Sequence, residues 1–390
     1  MSSGVPFGAY QAEIYLGGMA GQRPALPFTA AEWEDQAREL LAPEPYAYAA
    51  GGAGSEDTMR ANRDAFRRWR IVPRMLRDVE QRDLAVTLLG TSLPAPLLLA
   101  PVGLQGILHE QGELATARAA ASLGVPFVLS TVSSFSIEEV AEAMGAAPRW
   151  FQLYWPRDPE LAASFVSRAE AAGYGAIVVT LDTSIKAWAP RDLARAYLPP
   201  LQGLGIANYL SDPVFRAALP AAPEDDMQPA IGHFAVNFVN PTLTWDDLAF
   251  LREHTSLPIV LKGILHPDDA REAAARGADA VVVSNHGGRQ VDGAVASLDA
   301  LPEVVEAAPD HYPVLLDSGV RGGADVIKAL ALGACAVLLG RPYPWALAAG
   351  GEAGVCHLLR SVLAELDLTL GLSGYRTPAE LTPGALQRMG

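Results

Sequence analysis

The sequence predicts a (β/α)8 barrel, a fold in which eight parallel strands alternate with helices around a closed sheet. Eight apolar runs have the composition of buried parallel strands, at residues 97–101, 127–130, 150–154, 176–181, 259–261, 280–284, 314–316 and 336–339. Segments with helical periodicity lie between most of them, at residues 137–144, 160–172, 267–276 and 323–332. A doubly wound sheet is the alternative, but eight regular units favour closure into a barrel.

Two parts of the chain depart from this alternation. Residues 1–92 are predicted to form a helical extension, in which Thr29 and Glu32 have the spacing of a capping box. Residues 93–390 are predicted to form the barrel and its C-terminal helices. Within the barrel, about 75 residues, at 183–257, separate the fourth strand from the fifth. A connection of this length in a compact domain is either functional, as a lid or an oligomer contact, or disordered.

Composition limits the classes of partner. Half of the 390 residues are hydrophobic and the formal net charge is −15, which argues against a nucleic acid or an anionic membrane surface. Cys335 and Cys356 make no disulfide framework, and residues 1–18 lack the pattern of a signal peptide. The most apolar stretch, 93–108, is interrupted by prolines and glycines and is too short to span a bilayer. We therefore expect a soluble cytoplasmic protein.

One heptad, at residues 284–290, has the composition of an active site. It follows the apolar run 280–283 and contains His286, two glycines and Arg289. Imidazole takes up a proton near neutral pH, and a guanidinium binds a carboxylate through two parallel hydrogen bonds. The heptad therefore predicts proton abstraction from a small carboxylic acid. The alternative is an ordinary histidine and a surface arginine in a glycine turn.

Polar residues also follow the other predicted strands, at the end where barrel enzymes place their active sites. They are Gln152, Tyr154, Thr180, Asp182, Lys262, Asp317 and Arg341. Each alone is compatible with a strand cap, but their joint placement predicts one shared site. Glycine-rich segments with Arg321 and Arg341 follow the last two strands and predict a phosphate cradle, with two ordinary turns as the alternative.

Three long motifs carry a family resemblance. Ser-Asn-His-Gly-Gly-Arg-Gln at 284–290, Asp-Ser-Gly-Val-Arg at 317–321 and the segment 329–342 resemble the signature blocks of the FMN-dependent 2-hydroxy acid oxidising family. Within that family the chain is most similar to the lactate 2-monooxygenase branch. That similarity extends over residues 13–15, 48–52, 190–193 and 366–375 and over the long connection.

The resemblance implies roles for the substrate-side residues. His286 would be the base that takes a proton as C2 of the substrate is oxidised, and Asp182 would stabilise its protonated form. Arg289 would hold the substrate carboxylate. Tyr48 and Tyr154 would bind the carboxylate and the hydroxyl group. Whether electrons leave C2 as a hydride or through a carbanion is not decided by any of these residues.

The resemblance also implies an FMN site and no metal. Lys262 would lie beside the flavin, where a positive charge favours its anionic reduced form. The flavin ring would be contacted by Pro101, Val102, Gly103, Ser130, Gln152, Thr180 and Ser284. The phosphate end would be bound by Asp317, Gly319, Arg321, Gly340 and Arg341. The resemblance further implies a homo-oligomer, a tetramer in the family.

Two positions distinguish this chain within the family. Gly103 stands where oxidases of the family usually have Ala and the monooxygenase has Gly, so a missing side chain there predicts room for oxygen or a tighter pocket. Ala189 stands where members usually have a second substrate-binding arginine. The missing arginine predicts a substrate larger than lactate, whose extra part fills the space at Ala189. Arg191 and Lys186 lie close in sequence, and the alternative is that Arg191 takes over the contact with the substrate carboxylate.

Together these observations predict FMN-dependent oxidation of a 2-hydroxy acid at C2, with O2 as electron acceptor. The predicted outcome is that of lactate 2-monooxygenase, which gives a shortened acid, CO2 and water. A simple oxidase that releases the 2-oxo acid and H2O2 is the first alternative, on lactate or on a larger substrate. Other classes remain open: a non-redox barrel that binds a phosphate, or a barrel that binds a ligand without catalysis.

Overall fold

The computed structural model describes residues 5–389 and contains a closed barrel of parallel strands. The strands are β1 Leu97–Leu99, β2 Phe127–Ser130, β3 Arg149–Leu153, β4 Ile177–Thr180, β5 Ile259–Ile264, β6 Ala280–Val283, β7 Val314–Leu316 and β8 Ala336–Leu339. Each strand pairs with the next in sequence, and β8 pairs with β1. The predicted barrel is confirmed, and the doubly wound alternative is wrong.

The barrel closes because these strands are apolar on both faces. Inward-facing side chains such as Val128, Val178 and Val282 form one buried cluster inside the barrel. Leu88 and Leu93, from a hairpin of strands Val86–Leu88 and Thr91–Leu93, join this cluster. The opposite face of each strand packs against the surrounding helices in a second, larger cluster. The barrel interior is therefore a packed core, and open space is left at the strand ends.

A helix follows each strand. In chain order these helices are Gly112–Ser122, Ile137–Met144, Pro159–Ala171, Leu248–His254, Pro267–Ala275, Ser297–Ala307, Gly323–Ala331 and Pro342–Leu372. Two of them begin with side-chain caps: Ser136 and Glu139 form a capping box, and Asp158 accepts hydrogen bonds from the first turn of its helix. These helices cover the outer face of the barrel.

The N-terminal extension is helical, as predicted. Its helices are Ala9–Met19, Ala30–Leu40, Pro43–Ala50 and Asp57–Arg68. The capping box of Thr29 and Glu32 is present at the start of the second of them. A short antiparallel pair of strands, Trp69–Ile71 with Leu386–Arg388, joins the extension to the C-terminal end of the chain. The extension is thus attached to the barrel at several points.

The connection between β4 and β5 is folded. It contains the helices Pro190–Leu193, Ala207–Leu210, Pro213–Ala217 and Met227–Asn237 before the helix that leads into β5. Tyr209 is fully buried and packs edge-on against Phe215 and Phe234, at ring-centroid distances of 5.4 and 4.9 Å. The disordered alternative for this connection is therefore wrong.

The structure also bears on the expectations about a membrane span and about the two cysteines. Over residues 5–389, no helix is both long and apolar enough to cross a membrane. Cys335 and Cys356 are both free thiols. Burial raises the pKa of the Cys335 thiol to about 12, so it remains a neutral, small apolar side chain.

Candidate active site

A cavity of about 440 Å³ lies at the C-terminal ends of the barrel strands, where the strand exits predicted it. Its floor comes from the strand exits, one wall from the N-terminal extension, and its roof from the connection after β4. The predicted site residues in its walls are Tyr48, Pro101, Val102, Gly103, Ser130, Tyr154, Lys262, His286, Arg289, Asp317, Gly319, Arg321, Gly340 and Arg341. Gln152, Thr180, Asp182 and Ser284 do not line the cavity themselves but contact or adjoin residues that do, and Arg191 does not line it.

His286 and Asp182 form a hydrogen-bonded pair at the exits of β6 and β4. Nδ1 of His286 lies 2.8 Å from Oδ1 of Asp182, so the N–H at Nδ1 donates to the carboxylate and leaves Nε2 as an acceptor. Nε2 lies 3.5 Å from the hydroxyl of Tyr154 in the cavity wall. Burial alone would raise the pKa of Asp182, but His286 and Lys262 outweigh it and hold that pKa below its ordinary value. The carboxylate is therefore charged and can stabilise a protonated imidazole.

The backbone of His286 adopts an unusual conformation. Its φ is 57°, in the left-handed region that residues other than glycine seldom occupy, and Gly287 and Gly288 follow at 65° and 75°. The N–H groups of His286 and Gly287 donate to the Ser284 and Ser318 hydroxyls, at 3.1 and 2.9 Å. Such a conformation persists only where its surroundings fix it, which these bonds do. The turn directs the imidazole into the cavity.

Arg289 is anchored on one side and free on the other. Its Nη1 donates to the carbonyl oxygens of Tyr48 and Gly51, at 2.9 and 2.8 Å, at the C-terminal end of the helix Pro43–Ala50. No hydrogen bond from its Nη2 or Nε reaches any described residue, and the side chain lines the cavity. Burial raises the pKa of the Tyr48 and Tyr154 hydroxyls, which therefore remain protonated donors. These three side chains can bind a carboxylate.

Lys262 is a buried cation at the exit of β5. Its Nζ lies 2.9 Å from the Ser284 hydroxyl and 3.1 Å from Oδ2 of Asp317. Burial lowers the pKa of Lys262, but Asp317 and Asp182 outweigh it, so the pKa is raised and the ammonium stays charged. The cavity floor therefore carries a fixed positive charge.

The far end of the cavity concentrates positive charge. Burial and the neighbouring Arg63 lower the pKa of Arg321 to about 10. Burial, Arg289 and Arg321 lower the pKa of Arg341 to about 9. Crowded guanidinium groups of this kind are stabilised by an anion between them, and phosphate is the anion that arginine commonly binds in two-pronged geometry.

The backbone donors of this cradle differ from the prediction. At the start of the helix Gly323–Ala331, the N–H groups of Gly323 and Ala324 donate to the carboxylate of Glu365, at 2.8 and 3.3 Å. That helix end is therefore not open to a phosphate. The N–H groups of Gly319 and Arg341 have no acceptor within the described part of the chain, and both residues line the cavity. Both N–H groups are available to an anion.

Arg191 does not reach the cavity, and its predicted position is wrong. Its Nη2 lies 2.6 Å from Oε2 of Glu56, which also accepts a hydrogen bond from the N–H of Gly52 at 3.0 Å. Burial would raise the pKa of Glu56, but the hydrogen bond from Arg191 and the further bond from Gly52 outweigh it, so the pKa is lowered. The cavity wall at this point is Ala189, without a charge.

Of the two outcomes predicted for Gly103, room for oxygen or a tighter pocket, the structure contradicts the first. A Cβ atom built on Gly103 would collide with the carbonyl oxygen of Val132 and lie 3.1 Å from the Ser130 hydroxyl. The missing side chain therefore accommodates the backbone that follows β2. It does not leave a gap for oxygen.

Some buried polar atoms near the cavity have no hydrogen-bond partner among the described residues. Among the described residues, Nε2 of Gln152 and Oγ1 of Thr180 make no hydrogen bond, although both side chains are buried. Oε1 of Gln152 accepts from the Ser130 hydroxyl at 3.0 Å. Thr180 lies in the wall of an adjoining cavity of about 300 Å³. Unpaired buried groups such as these are normally satisfied by a ligand or water.

Sequence reasoning missed some residues that support the site. Asn62, in the extension, hydrogen-bonds Asn285 at 2.8 Å, next to His286. Arg63 donates to the carbonyl oxygen of Gly319 and lies 2.7 Å from Asp325. Nothing in the sequence around either residue marks it as part of the site.

The fold and the site together define a class of protein: a (β/α)8 enzyme that takes a proton from a small anionic substrate beside a phosphate-bearing cofactor. Residues 37–388 match the FMN-dependent dehydrogenase family, and the chain belongs to that family. Family membership excludes the non-redox phosphate-binding barrel that the sequence left open.

Relatives of known type cover nearly the whole chain. It is 46% identical to the FMN-dependent alpha-hydroxy acid dehydrogenase qulF of Penicillium citrinum, over 99% of this chain and 97% of that one. It is 44% identical to an L-lactate oxidase of Lysinibacillus sphaericus, with 93% of each chain covered. The crystal structure of mandelate oxidase has a TM-score of 0.82 at 41% identity and covers 93% of this chain and 98% of that chain.

The cofactor is FMN, and the residues of the cavity fit it. Arg321, Arg341 and the N–H of Gly319 would hold the phosphate, since the crowded cations lack an anion among the described residues. Ser130, which donates to Gln152, and the buried cation Lys262 line the cavity and would lie beside the ring system. Bound FMN accepts two electrons from C2 of a 2-hydroxy acid. The protein is therefore an FMN-dependent 2-hydroxy acid oxidoreductase.

Proposed function

We propose that this enzyme uses O2 as its electron acceptor and releases a 2-oxo acid and H2O2. The oxidation of the 2-hydroxy acid rests on the pair of His286 and Asp182, 2.8 Å apart, with His286 in the wall of the cavity that Arg289 also lines. The oxidase names of its relatives support O2 as acceptor: L-lactate oxidase, 4-hydroxymandelate oxidase from Amycolatopsis orientalis (43% identical) and mandelate oxidase.

The residues around the substrate have separate tasks. Arg289, with the hydroxyls of Tyr48 and Tyr154, binds the carboxylate and holds C2 against His286. Nε2 of His286 takes one proton as C2 loses its two electrons. Asp182 stabilises the imidazolium that results, because it is charged and already hydrogen-bonded to Nδ1. The hydride and carbanion routes both place the proton on this nitrogen.

The substrate carries an apolar group larger than the methyl of lactate. Ala189 lines the cavity wall with a methyl group, and the volume that a long charged side chain would fill there is left to the substrate. The roof beyond it is apolar and is formed by Leu198, Leu201, Phe234, Phe238 and Val239. An apolar substituent would bury its surface there, at about 25 cal/mol per Å².

A decarboxylating monooxygenase is the second candidate, and the folded roof over the cavity favours it. An oxo acid held beneath that roof meets the H2O2 formed beside it. The reaction of one with the other gives a shortened acid, CO2 and water, which balances. Gly103 does not support this outcome by leaving room for oxygen, because the Val132 carbonyl occupies that space; close packing there is compatible only with the tighter pocket.

Product analysis separates the two. The holoenzyme is supplied with O2, catalase and a panel of L-lactate and longer or aromatic 2-hydroxy acids, and 2-oxo acid, CO2 and O2 uptake are measured. An oxidase yields intact 2-oxo acid and no CO2, since catalase removes free H2O2. A monooxygenase yields CO2 despite catalase. If the acid reduces the flavin but no O2 is consumed, O2 is not the acceptor. A panel in which lactate is the best substrate would rule out the larger substituent.

A further inference from the structure

Lys186 places a second cation in the cavity wall on the substrate side. It lies in the connection after β4, close in sequence to Ala189, and its side chain is 45% exposed. Its nearest acidic atom is Oδ2 of Asp192, at 4.0 Å, which is too long for a hydrogen bond. The ammonium therefore keeps its donors free toward the cavity.

Three other cations in or near the cavity wall already have close partners. Lys262 is held by Ser284 and Asp317, and Arg341 donates to the carbonyl oxygens of Gly287 and Gly51 at 2.9 and 3.1 Å. Arg191 is held by Glu56. Lys186 differs from all of them because it has no close partner among the residues described.

Burial and two charged neighbours act on the ammonium of Lys186. Burial lowers its pKa most, Asp192 raises it and Arg289 lowers it again. Asp192 lines the same cavity, and its carboxylate accepts no hydrogen bond within residues 5–389. Two cations and one loosely placed carboxylate thus face the same space, and an incoming carboxylate would satisfy both cations.

We propose that the ammonium of Lys186 binds the substrate carboxylate together with Arg289, and so makes the enzyme selective for an anionic 2-hydroxy acid. The inference rests on the proposed function, because it assigns a contact to the same substrate. It also accounts for the neutral wall at Ala189, since the second positive charge comes from three residues earlier in the chain.

The test compares a 2-hydroxy acid with its uncharged amide on the holoenzyme. Lys186→Met should raise KM for the acid about ten- to a hundredfold, with a smaller change in kcat, and leave KM for the amide nearly unchanged. Lys186→Arg keeps the charge and should restore most of the acid's affinity. An acid KM equal to that of the wild type in Lys186→Met overturns the inference.

Asp192→Asn is the matched control, since it removes the loose pairing and leaves the ammonium. If Lys186 binds substrate, this variant should bind the acid as tightly as the wild type or more tightly, because a competing carboxylate is gone. If Lys186 serves only to pair with Asp192, both variants should weaken acid binding alike, and the inference fails.

The pH dependence supplies a signature that a purely structural lysine lacks. Asp192 and Arg289 are the charged groups that act on Lys186. As the pH rises through the pKa of Lys186 the ammonium loses its charge, so KM for the acid should rise, while Lys186→Arg should show no such rise. Failure of the proposed function would give a different result. In that case no 2-hydroxy acid would reduce the flavin of the wild type, whatever residue stands at position 186.

Discussion

Asn62 and Asn285 exchange two hydrogen bonds of 2.8 Å, each from the amide nitrogen of one to the amide oxygen of the other. Both side chains are buried, and Asn62 also accepts from the N–H of Ser297 at 3.2 Å. Asn285 immediately precedes His286, whose backbone is in the left-handed region. A helix of the N-terminal extension therefore holds the turn that carries the proposed base.

Removing the hydrogen-bonded pair of Asn62 and Asn285 should lower the free energy of unfolding and should also slow the reaction at His286. Asn62→Ala removes two hydrogen bonds from Asn285, whose amide keeps its bonds to Val295 and Gly288, and leaves the Ser297 N–H unsatisfied, at a cost of about 1–3 kcal/mol in unfolding free energy. Flavin reduction by the substrate should also slow, because the turn at His286 loses its support. Urea unfolding and stopped-flow absorbance measure the two effects. Arg60→Ala, in the same helix but in an exposed pair with Asp57, is the control and should change neither. A wild-type reduction rate in Asn62→Ala would show that the pair is only structural.

Gly103→Ala should destabilise the protein by about 1–3 kcal/mol, the usual cost of overpacking. The new methyl group collides with the Val132 carbonyl, so the backbone beside the cavity must shift. Gly18→Ala is the matched control, because a Cβ there meets nothing within 4 Å and the site lies in the helix Ala9–Met19. That control should be neutral or stabilising by up to about 1 kcal/mol. Thermal unfolding of the two variants decides; equal stabilities would mean that position 103 has room for a side chain.

Arg321→Met should separate FMN binding from the stability of the apoprotein. Burial and Arg63 depress the pKa of Arg321, so its charge opposes folding until an anion binds. The variant should bind FMN at least about tenfold more weakly, which the recovery of flavin fluorescence on release measures. Its apoprotein should melt at a higher temperature than the wild-type apoprotein. Arg216→Met, in an exposed pair with Glu224, should leave FMN affinity unchanged. A variant that binds FMN as tightly as the wild type would remove Arg321 from the phosphate site.

Asp182 should make stability depend on pH in acid. Its folded-state pKa is lowered by His286 and Lys262 in spite of burial. The stability that this adds is present above the unfolded pKa, about 3.9, and is lost as the pH falls through the lower folded value. The difference in unfolding free energy between the wild type and Asp182→Asn should therefore shrink from pH 7 towards strongly acidic pH. A constant difference, followed by urea titration, would contradict this account of the carboxylate.

The barrel could be predicted from sequence because its strands are buried on both faces. β2, β7 and β8 begin and end at the predicted residues, and each consists mostly of consecutive apolar side chains. β5 is longer than predicted because it continues through Lys262 and Gly263 to Ile264, with an irregularity in its pairing to β6. Polar and glycine residues within a strand interrupt the apolar pattern, so such extensions leave no local signal.

The parts of the site that sequence could not predict depend on distant neighbours. The motif around 284–290 and its family resemblance led to His286, Asp182 and Arg289, which the structure brings together. The partner of Arg191 is Glu56, 135 residues away, and that of Asn285 is Asn62, 223 residues away. No spacing or composition near these residues indicates such contacts. The tetramer expected from the resemblance stays a prediction.

Anaerobic reduction of the bound flavin tests the central claim most directly, namely that His286 is the base for oxidation of a 2-hydroxy acid. Purified wild type and His286→Gln are mixed with a panel of 2-hydroxy acids without O2, and the visible flavin absorbance is followed. We predict that at least one acid bleaches the wild type, and that the variant keeps its FMN but bleaches about a hundredfold to ten-thousandfold more slowly. A yellow wild type that no acid bleaches, or a variant that bleaches at the wild-type rate, would contradict the account.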